Sequence, residues 1–536
     1  MSRPNPLILI GILALFGGVL GWLTYSTGIY FLSEHEGDTM HLLDIVFRMH
    51  DGALPHLDFE TPIGILAFLP ITYLMDIGYS VGQSILYSQI LVMLCLAPFI
   101  LYVAWSRLSA PAGYAFAALS TTLILAISYG GTGAGTSMSM HYNRWAWVVS
   151  ALAILLTLLP GRGRTAVFDG VLVGVLFSLL ALIKVTFFMM ILPGTMAALL
   201  LQGRRLEFYM ILATGLMVFL AVAAVLGVGF WQAYAENLIT VSGSEVRPHT
   251  GLPLTHIVAG PAFLPFTALG FLAYHFLNRA GLRPQALGMI ILLPGFLFIT
   301  WQNFGNDPVW LVPLLAIVLT YAAQEDEIGT THASRLTILS VLAAMFILPW
   351  GLTLAMSPLR HASQDMEAYE RVLPDIRPEA NDIFVRRDRG YSMLAQTFFD
   401  DPGDPWDANA DLLDRKAPRE IGGIAFPHCE FMAGSVNWFR QLAADLESIG
   451  VPESSQLFTT DILGAFWLHG PYEPLKNGAP WYYANLSGIE NADYLIVPKC
   501  GFAERVRQII IQDVIDAEIE VDLVGQTERV AVFALP

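Results

Sequence analysis

A polar segment between two apolar runs, residues 29–81, carries a high density of ionisable side chains for such a position. Its carboxylates Glu34, Glu36 and Asp38 alternate along the chain, so an extended backbone would project all three to one side. A carboxylate at a membrane surface can serve as a general base, because a low-dielectric boundary can tune its pKa towards neutrality. Plainer interpretations are that Asp38 is the N-cap of a following helix and that Glu34 and Glu36 are solvated.

A short amphipathic helix is predicted directly after Asp38. Its apolar face is formed by Leu42, Val46 and Met49 and its polar face by His41, Asp44 and Arg48. A helix of this kind lies in the membrane interface and does not cross the bilayer. The turn-forming pair Asp51-Gly52 is expected to end it.

Cationic side chains next to apolar runs are candidates for binding an anion. Lys184 is the only lysine among the first 356 residues and lies between the apolar runs ALI and VTFFMMIL. An ionisable group at membrane depth is a functional candidate, although a lysine can also simply extend its ammonium group to the interface. Arg144 and His141 begin another apolar run, where the alternative is an interfacial anchor. Arg247 and His249 lie in a polar loop and can equally be ordinary loop residues.

The composition identifies the kind of chain that must position these groups. Of the 536 residues, 55% are apolar and only 14% are charged, with a mean hydropathy of +0.56. These values exclude a soluble globular enzyme and a disordered chain. The net charge of −17 excludes a nucleic-acid binder, because it would repel phosphate backbones. The class is therefore a polytopic membrane protein.

The apolar runs stop near Met356, which divides the chain into a transmembrane domain, residues 1–356, and an acidic water-soluble domain, residues 357–536. The second part carries 29 acidic and 15 basic residues. Eleven spanning helices are predicted, at 6–28, 82–106, 111–129, 145–160, 166–183, 185–201, 207–230, 252–277, 285–301, 308–323 and 334–356.

The distribution of arginines predicts the orientation of these helices. If residues 62–78 do not cross the membrane, most short basic loops fall on one side, which the positive-inside rule assigns to the cytoplasm. Residues 62–78 are therefore predicted to be a juxtamembrane or re-entrant element on the outer side. The N-terminus is then cytoplasmic, and the loop 29–81 and the C-terminal domain are periplasmic. Cys429 and Cys500 could form a disulfide if that domain faces an oxidising compartment.

The C-terminal part alternates between strand-like and helix-like patterns, which predicts a small α/β domain. Strands are predicted at 421–426, 455–460, 493–498, 519–525 and 529–535, and helices at 431–448 and 502–516. The segment from ASQDMEAYE to RRDRG is predicted to be a connecting helix and linker.

Several motifs resemble those of GT-C glycosyltransferases, which are polytopic enzymes that use polyprenyl-phosphate sugars. The first loop carries a carboxylate after the first span and then the pattern formed by Gly52, Pro55, His56, Asp58, Phe59, Thr61 and Pro62. The run MHYNRWAW at 140–147 is similar to a recurring loop of bacterial members. In the C-terminal part LFTTDILGAFW, GAPWYY and ADYLIVPK follow in the order found in C-terminal domains of such proteins.

The resemblance implies an inverting transferase of the bacterial inner membrane, working on its periplasmic face. It would move a sugar from a polyprenyl-phosphate donor to a lipid, an envelope glycan or a protein acceptor. Asp38 is the first choice for the catalytic base and Glu36 the second. Substrate binding is assigned to Lys184, Arg144, His141, Glu34, His56, Asp58, Arg247 and His249. No metal ligand set is identified, and a divalent cation is left open as a cofactor.

Two other classes of protein remain as alternatives. A non-catalytic assembly subunit could keep the same fold without activity, since fold alone does not determine function. A transporter would need charged pairs or broken helices near the bilayer midplane and an internal repeat. The predicted spans contain few ionisable groups apart from Lys184, which disfavours the transporter.

Overall fold

The structure is a computed structural model that describes residues 3–536, except for 131–132, 162, 164, 245, 247–250, 261–262, 305–306 and 398–417. The candidate residues Arg247 and His249 therefore lie outside the described residues.

Sixteen α-helices of the described chain precede the C-terminal region, defined here as residues 363–536. They are α1 Pro6–Thr27, α2 Glu36–His50, α3 Leu69–Asp76, α4 Val81–Arg107, α5 Ala110–Leu125, α6 His141–Leu158, α7 Ala166–Ile183, α8 Val185–Leu201, α9 Arg205–Leu226, α10 Gly229–Gly243, α11 Leu254–Ala259, α12 Phe263–Arg279, α13 Arg283–Gln302, α14 Leu311–Ala322, α15 Glu325–Ile328 and α16 Thr330–Ala362.

Local sequence signals explain where these helices begin and end. At the start of α1, the side chain of Asn5 accepts a hydrogen bond from the backbone N–H of Leu7, and Pro6 occupies the first helical position. Gly28 ends α1 with a left-handed φ of 62°, which a residue without a Cβ adopts easily.

All but one of the predicted spans coincide with a single helix, within a few residues at their ends. The exception is the prediction 252–277, which the structure divides into α11 and α12. Six helices of the described chain, α1, α4, α7, α9, α13 and α16, are long and apolar enough to cross a membrane, and α5, α8 and α14 are shorter apolar helices. These helices indicate a membrane-embedded chain, but the count of eleven spans is not confirmed.

Residues 62–78 form a 3-10 turn, Ile65–Ala67, followed by the eight-residue helix α3. A membrane-crossing helix needs about 20 residues, because each residue advances the helix by only about 1.5 Å. This geometry supports the prediction that the segment does not cross.

The C-terminal region combines short helices with small sheets. Its helices are α17 Arg387–Gly390, α18 Ser435–Ile449 and α19 Glu504–Asp516. Together with β1 from the first loop, the strands are β1 Tyr30–Leu32, β2 Tyr369–Arg371, β3 Ile383–Arg386, β4 Leu394–Thr397, β5 Arg419–Ile421, β6 Ile424–Phe426, β7 Cys429–Ala433, β8 Leu457–Thr459, β9 Tyr494–Pro498, β10 Asp522–Gln526 and β11 Val530–Ala534.

The largest of these sheets has the strand order β10–β11–β9–β8, with β8 parallel to β9 and β11 antiparallel to both of its neighbours. The predicted strands 455–460, 493–498, 519–525 and 529–535 and the predicted helix 502–516 are present, within a few residues at their ends. The single strand predicted at 421–426 is wrong, because Gly422 and Gly423 turn the chain between β5 and β6, and the helix predicted at 431–448 begins only at Ser435, after β7. The predicted connecting helix and linker is wrong, because that segment contains β2 and β3, which pair with each other. Cys429 and Cys500 form a disulfide.

The first loop and the C-terminal region share one hydrophobic core. Strand β1 pairs in parallel with β3, so two segments about 350 residues apart form one sheet. The same cluster of buried side chains contains residues of α2 and α3 together with residues of α18, β9 and β11. The carboxylate of Asp382 accepts backbone N–H groups of Gly82 and Gln83 and thereby caps the start of α4. We call the side of the helices on which this region packs the domain face, and the other side the opposite face.

Candidate functional site

Asp38 lies in the first turn of α2 on the domain face. His35 occupies the N-cap position with a left-handed φ of 61° and makes no side-chain capping bond, so the prediction that Asp38 is the N-cap is wrong. Asp38 is instead the third helical residue and is half-buried. The hydroxyl of Ser139 donates a hydrogen bond to its Oδ2 atom at 2.5 Å. The amino end of a helix favours a negative charge, so the position suits an ionised carboxylate.

Glu36 has a different environment from Asp38. The guanidinium of Arg389 in α17 donates two hydrogen bonds to it, at 2.9 Å to Oε1 and 3.1 Å to Oε2. Glu36 is only 8% exposed, and this bidentate ion pair raises the pKa of Arg389. The geometry is that of a link between α2 and the C-terminal region.

Glu34 packs against the backbone of the loop that follows α5. A Cβ at Gly135 would lie 2.0 Å from Oε1 of Glu34, so a larger residue there would displace this carboxylate. Glu34 is half-buried and contributes negative charge next to Arg389 and Arg360.

The polar face of α2 is covered by the C-terminal region and does not face lipid headgroups or water. Four residues at helical spacing each contact a group of that region. Gly37 lies beneath the Phe502 ring, and the His41 ring lies 5.4 Å from the Trp481 ring. Asp44 accepts a hydrogen bond from Trp467 Nε1 at 3.1 Å, and Arg48 donates one to the Leu475 carbonyl at 2.7 Å. The prediction of an interfacial amphipathic helix is correct for the helix itself but wrong for the surroundings of its polar face.

Like Asp44, whose Oδ2 atom has no partner among the described residues, His41 has an unused polar atom. Burial lowers its pKa to about 4, so the imidazole is neutral at physiological pH. Its Nε2 atom is buried and has no hydrogen-bond partner among the described residues. The Trp481 ring and this imidazole therefore form a polar and aromatic surface one helical turn from Asp38.

Lys184 lies at the junction of α7 and α8, where the chain becomes extended for one residue. Its ammonium group donates to the amide oxygens of Asn143 at 2.9 Å and of Asn303 at 3.2 Å. It also lies 5.6 Å from the centre of the Tyr142 ring. These amide oxygens orient the ammonium group.

The first loop touches this junction directly. The N–H of Gly64 donates to the carbonyl of Ile183 at 3.2 Å, and a Cβ at Gly64 would lie 2.0 Å from the carbonyl oxygen of Leu182. A glycine is therefore required at position 64 for the first loop to approach the residue before Lys184. This contact places Lys184 on the domain face together with Asp38.

Arg144 and His141 are held by backbone carbonyl groups. Arg144 is 4% exposed and donates to the carbonyls of Ala126 at 2.9 Å and Ser128 at 2.5 Å, just after α5. It thereby satisfies carbonyl groups at the end of α5 that lack helical partners. Nε2 of His141 lies 2.9 Å from the carbonyl oxygen of Ala67, and the side chain is 1% exposed. Both residues position the backbone around the site.

Tyr30 connects Asp38 with Arg144. Its hydroxyl accepts the N–H of Met138 at 2.8 Å, and burial raises its pKa to about 12. Both Asp38 and Arg144 interact electrostatically with this phenol, so all three groups lie in one neighbourhood.

His56 and Asp58 fix the conformation of the first loop. His56 has a left-handed φ of 72°, stacks on Tyr234 at 4.2 Å, and its Nδ1 atom lies 3.0 Å from Oδ1 of Asn237 in α10. Asp58 is exposed and accepts the backbone N–H of Leu54 at 2.7 Å. In this structure both residues have structural partners.

Three residues that bind the candidate site residues were not predicted from the sequence. Ser139 and Asn143 are common polar residues in or near a loop, and Asn143 lies within the run MHYNRWAW at 140–147. Arg389 is one of several arginines in a charged run, so its type gave no signal. No group of three metal-ligating side chains occurs among the described residues.

No protein-family model, no curated protein and no solved structure matches this chain. The fold and the site define a membrane-embedded helical protein in which a first-loop carboxylate and a lysine lie on the side covered by the C-terminal region.

Proposed function

We propose that the chain is a membrane glycosyltransferase of the GT-C type. It transfers a sugar from a polyprenyl-phosphate donor to a lipid, envelope glycan or protein acceptor on the periplasmic face of a bacterial inner membrane. The observation that carries the proposal is the placement of Asp38 and Lys184 on one face, with the first loop contacting the segment beside Lys184.

In this mechanism Asp38 is the base. The acceptor hydroxyl transfers its proton to Asp38 while its oxygen bonds to the anomeric carbon of the donor sugar. The bond between that carbon and the phosphate oxygen breaks, and the polyprenyl phosphate leaves with the bonding electrons. The hydrogen bond from Ser139 at 2.5 Å keeps the carboxylate oriented, which is how a general base becomes effective.

Lys184 stabilises the leaving group. Negative charge grows on the phosphate oxygens as the bond breaks, and an ammonium group already oriented by Asn143 and Asn303 needs little reorganisation to meet it. The apolar helices α7 and α8 on either side of Lys184 provide a surface for a polyprenyl chain. The pKa of about 4 for His41 makes it a neutral hydrogen-bonding group for an acceptor and not a second base.

The periplasmic orientation rests on one observation and on the arginine pattern from which it is predicted. The Cys429–Cys500 disulfide belongs to the C-terminal region on the domain face, and disulfides persist in oxidising compartments. The arginine-rich loops are predicted on the other side, in agreement with the positive-inside rule.

The proposal is tested by Lys184→Met, which keeps the apolar stem and removes the charge. Binding of undecaprenyl phosphate to the purified protein, measured by native mass spectrometry, should weaken by about tenfold or more, the loss of a charge-assisted contact. Lys476→Met removes an exposed lysine of the C-terminal region and is the matched control. Equal affinity of wild type and Lys184→Met would contradict the phosphate assignment and favour a lysine that only reaches the interface.

A further inference from the structure

A small cavity lies on the opposite face, far along the helices from Asp38. It has a volume of about 40 Å³ and is lined by Arg3, Tyr102, Trp105, Ser106, Arg107 and Thr165. These residues belong to the segment before α1, the end of α4 and the start of α7. The lining contains two guanidinium groups and no carboxylate.

The carboxylate of Asp169 is buried behind this lining. Asp169 is 3% exposed and accepts hydrogen bonds from Arg107, from the Tyr102 hydroxyl and from the Thr165 hydroxyl, each at 2.6 Å. Arg107 is compensated by this pairing, yet its Nε–H is buried without a partner among the described residues. The lining therefore carries the net positive charge of Arg3 and an unsatisfied donor of Arg107.

Arg3 is held in place although it precedes the first helix. The next residue, Pro4, packs at Gly113, where an added Cβ would lie 2.7 Å from Cγ of Pro4. The N–H of Asn5 donates to the Tyr114 hydroxyl at 3.0 Å. The Arg3 guanidinium lies 6.0 Å from the centre of the Trp105 ring, and Arg3 forms no ion pair within the described part of the chain.

The rim of the cavity is apolar and faces outwards from the helices. Trp105 is 43% exposed, Phe168 56% and Val167 51%. They continue onto the surfaces of α4 and α7, both of which are long and apolar enough to cross a membrane. Tryptophan is enriched where a membrane meets water, so the composition of this rim is that expected at the depth of lipid headgroups.

We propose that this cavity binds the phosphate of an anionic phospholipid, whose acyl chains run along Trp105 and Phe168. The positive charge of Arg3 matches a phosphate, and the apolar rim distinguishes a lipid from a soluble phosphate. This site is separate from the proposed transferase site and does not depend on it.

The test uses the full-length protein, delipidated in detergent and titrated with dioleoyl-phosphatidylglycerol or dioleoyl-phosphatidylcholine in native mass spectrometry. Wild type should bind dioleoyl-phosphatidylglycerol more tightly than dioleoyl-phosphatidylcholine. Arg3→Gln should weaken the first phosphatidylglycerol binding step by roughly fivefold, the effect of one arginine near a headgroup. Arg283→Gln, an exposed arginine at the start of α13, is the control and should bind as wild type. Arg3 is exposed and outside the helices, so the variant should keep its melting temperature.

Two outcomes would overturn the proposal. One is an unchanged phosphatidylglycerol affinity in Arg3→Gln. The other is full displacement of the lipid by millimolar glycerol 3-phosphate, which would identify a site for soluble phosphates. Failure of either kind leaves the Lys184 experiment unaffected, because the two sites lie on different faces.

Discussion

Buried histidines make stability depend on pH. Burial lowers the pKa of His56 to about 4, below the ordinary 6.5, so the unfolded chain binds a proton between these values that the folded chain does not. Stability from this residue is complete above about pH 6.5 and is lost as the pH falls towards 4. His41 acts in the same direction, and so does His469, with a pKa of about 3. The buried Asp461, with its pKa raised to about 6, acts in the opposite direction.

His56→Asn should isolate one of these contributions. Asparagine tolerates the left-handed φ of 72° and keeps an N–H donor for Asn237. The loss of unfolding free energy between pH 7 and pH 5 should be smaller in the variant by about 1–2 kcal/mol. Denaturant unfolding in the same detergent at both pH values measures this. An identical pH dependence in wild type and variant would show that His56 does not contribute.

At the site, sequence reasoning could find individual residue types but not their partners. Lys184 stood out because it is a lone lysine between apolar runs, and Asp38 because it begins a helical pattern after the first span. Arg389 could not be paired with Glu36, because the two residues are more than 350 positions apart and many arginines compete for the same role.

Among the elements, α2 carries the interactions that hold the C-terminal region to the helices. Arg389→Gln removes the ion pair to Glu36 and leaves a carboxylate of 8% exposure with a weaker partner. The free energy of unfolding should fall by about 1 kcal/mol, because the guanidinium of Arg389 is 45% exposed and solvent screens the pair. Hydrogen–deuterium exchange of residues 36–50 should therefore become faster.

Arg387→Gln is the control for this element. Arg387 pairs with Glu370 at 2.7 Å, but the two side chains are 58% and 42% exposed. Removing this ion pair should therefore hardly change the stability. Unchanged exchange in residues 36–50 of Arg389→Gln would mean that the shared core alone holds α2.

Helices were predicted well, and pairings between distant segments were not. A run of apolar residues is a local signal, which is why α7 and α8 fall at the predicted positions 166–183 and 185–201. Strand β1 has only three residues, and its partner β3 follows hundreds of residues later, so no local sequence pattern predicts this pair. The predicted break near Met356 marks a change of composition, but the packing continues across it in the shared core.

For the whole molecule, the shared core means that the C-terminal region forms one wall of the candidate site. Trp481 reaches His41, and Phe502 covers Gly37, one residue from Asp38. An acceptor that approaches Asp38 would therefore meet this region as well as the membrane helices. The two faces differ in chemistry: carboxylates and Lys184 on the domain face, and a cavity lined by arginines on the opposite face.

The most direct test of the proposed transfer is the rate of undecaprenyl phosphate release from undecaprenyl-phosphate-linked mannose, glucose or arabinose, supplied in turn with a bacterial envelope lipid and glycan extract. Wild type should release the lipid phosphate from at least one donor. Asp38→Asn keeps an oxygen for the Ser139 hydroxyl but cannot take the proton, so release should be roughly 10²–10⁴-fold slower. Asp51→Asn, at the other end of α2, should match wild type. Equal rates in Asp38→Asn and wild type, or no release from any donor, would contradict the proposed function.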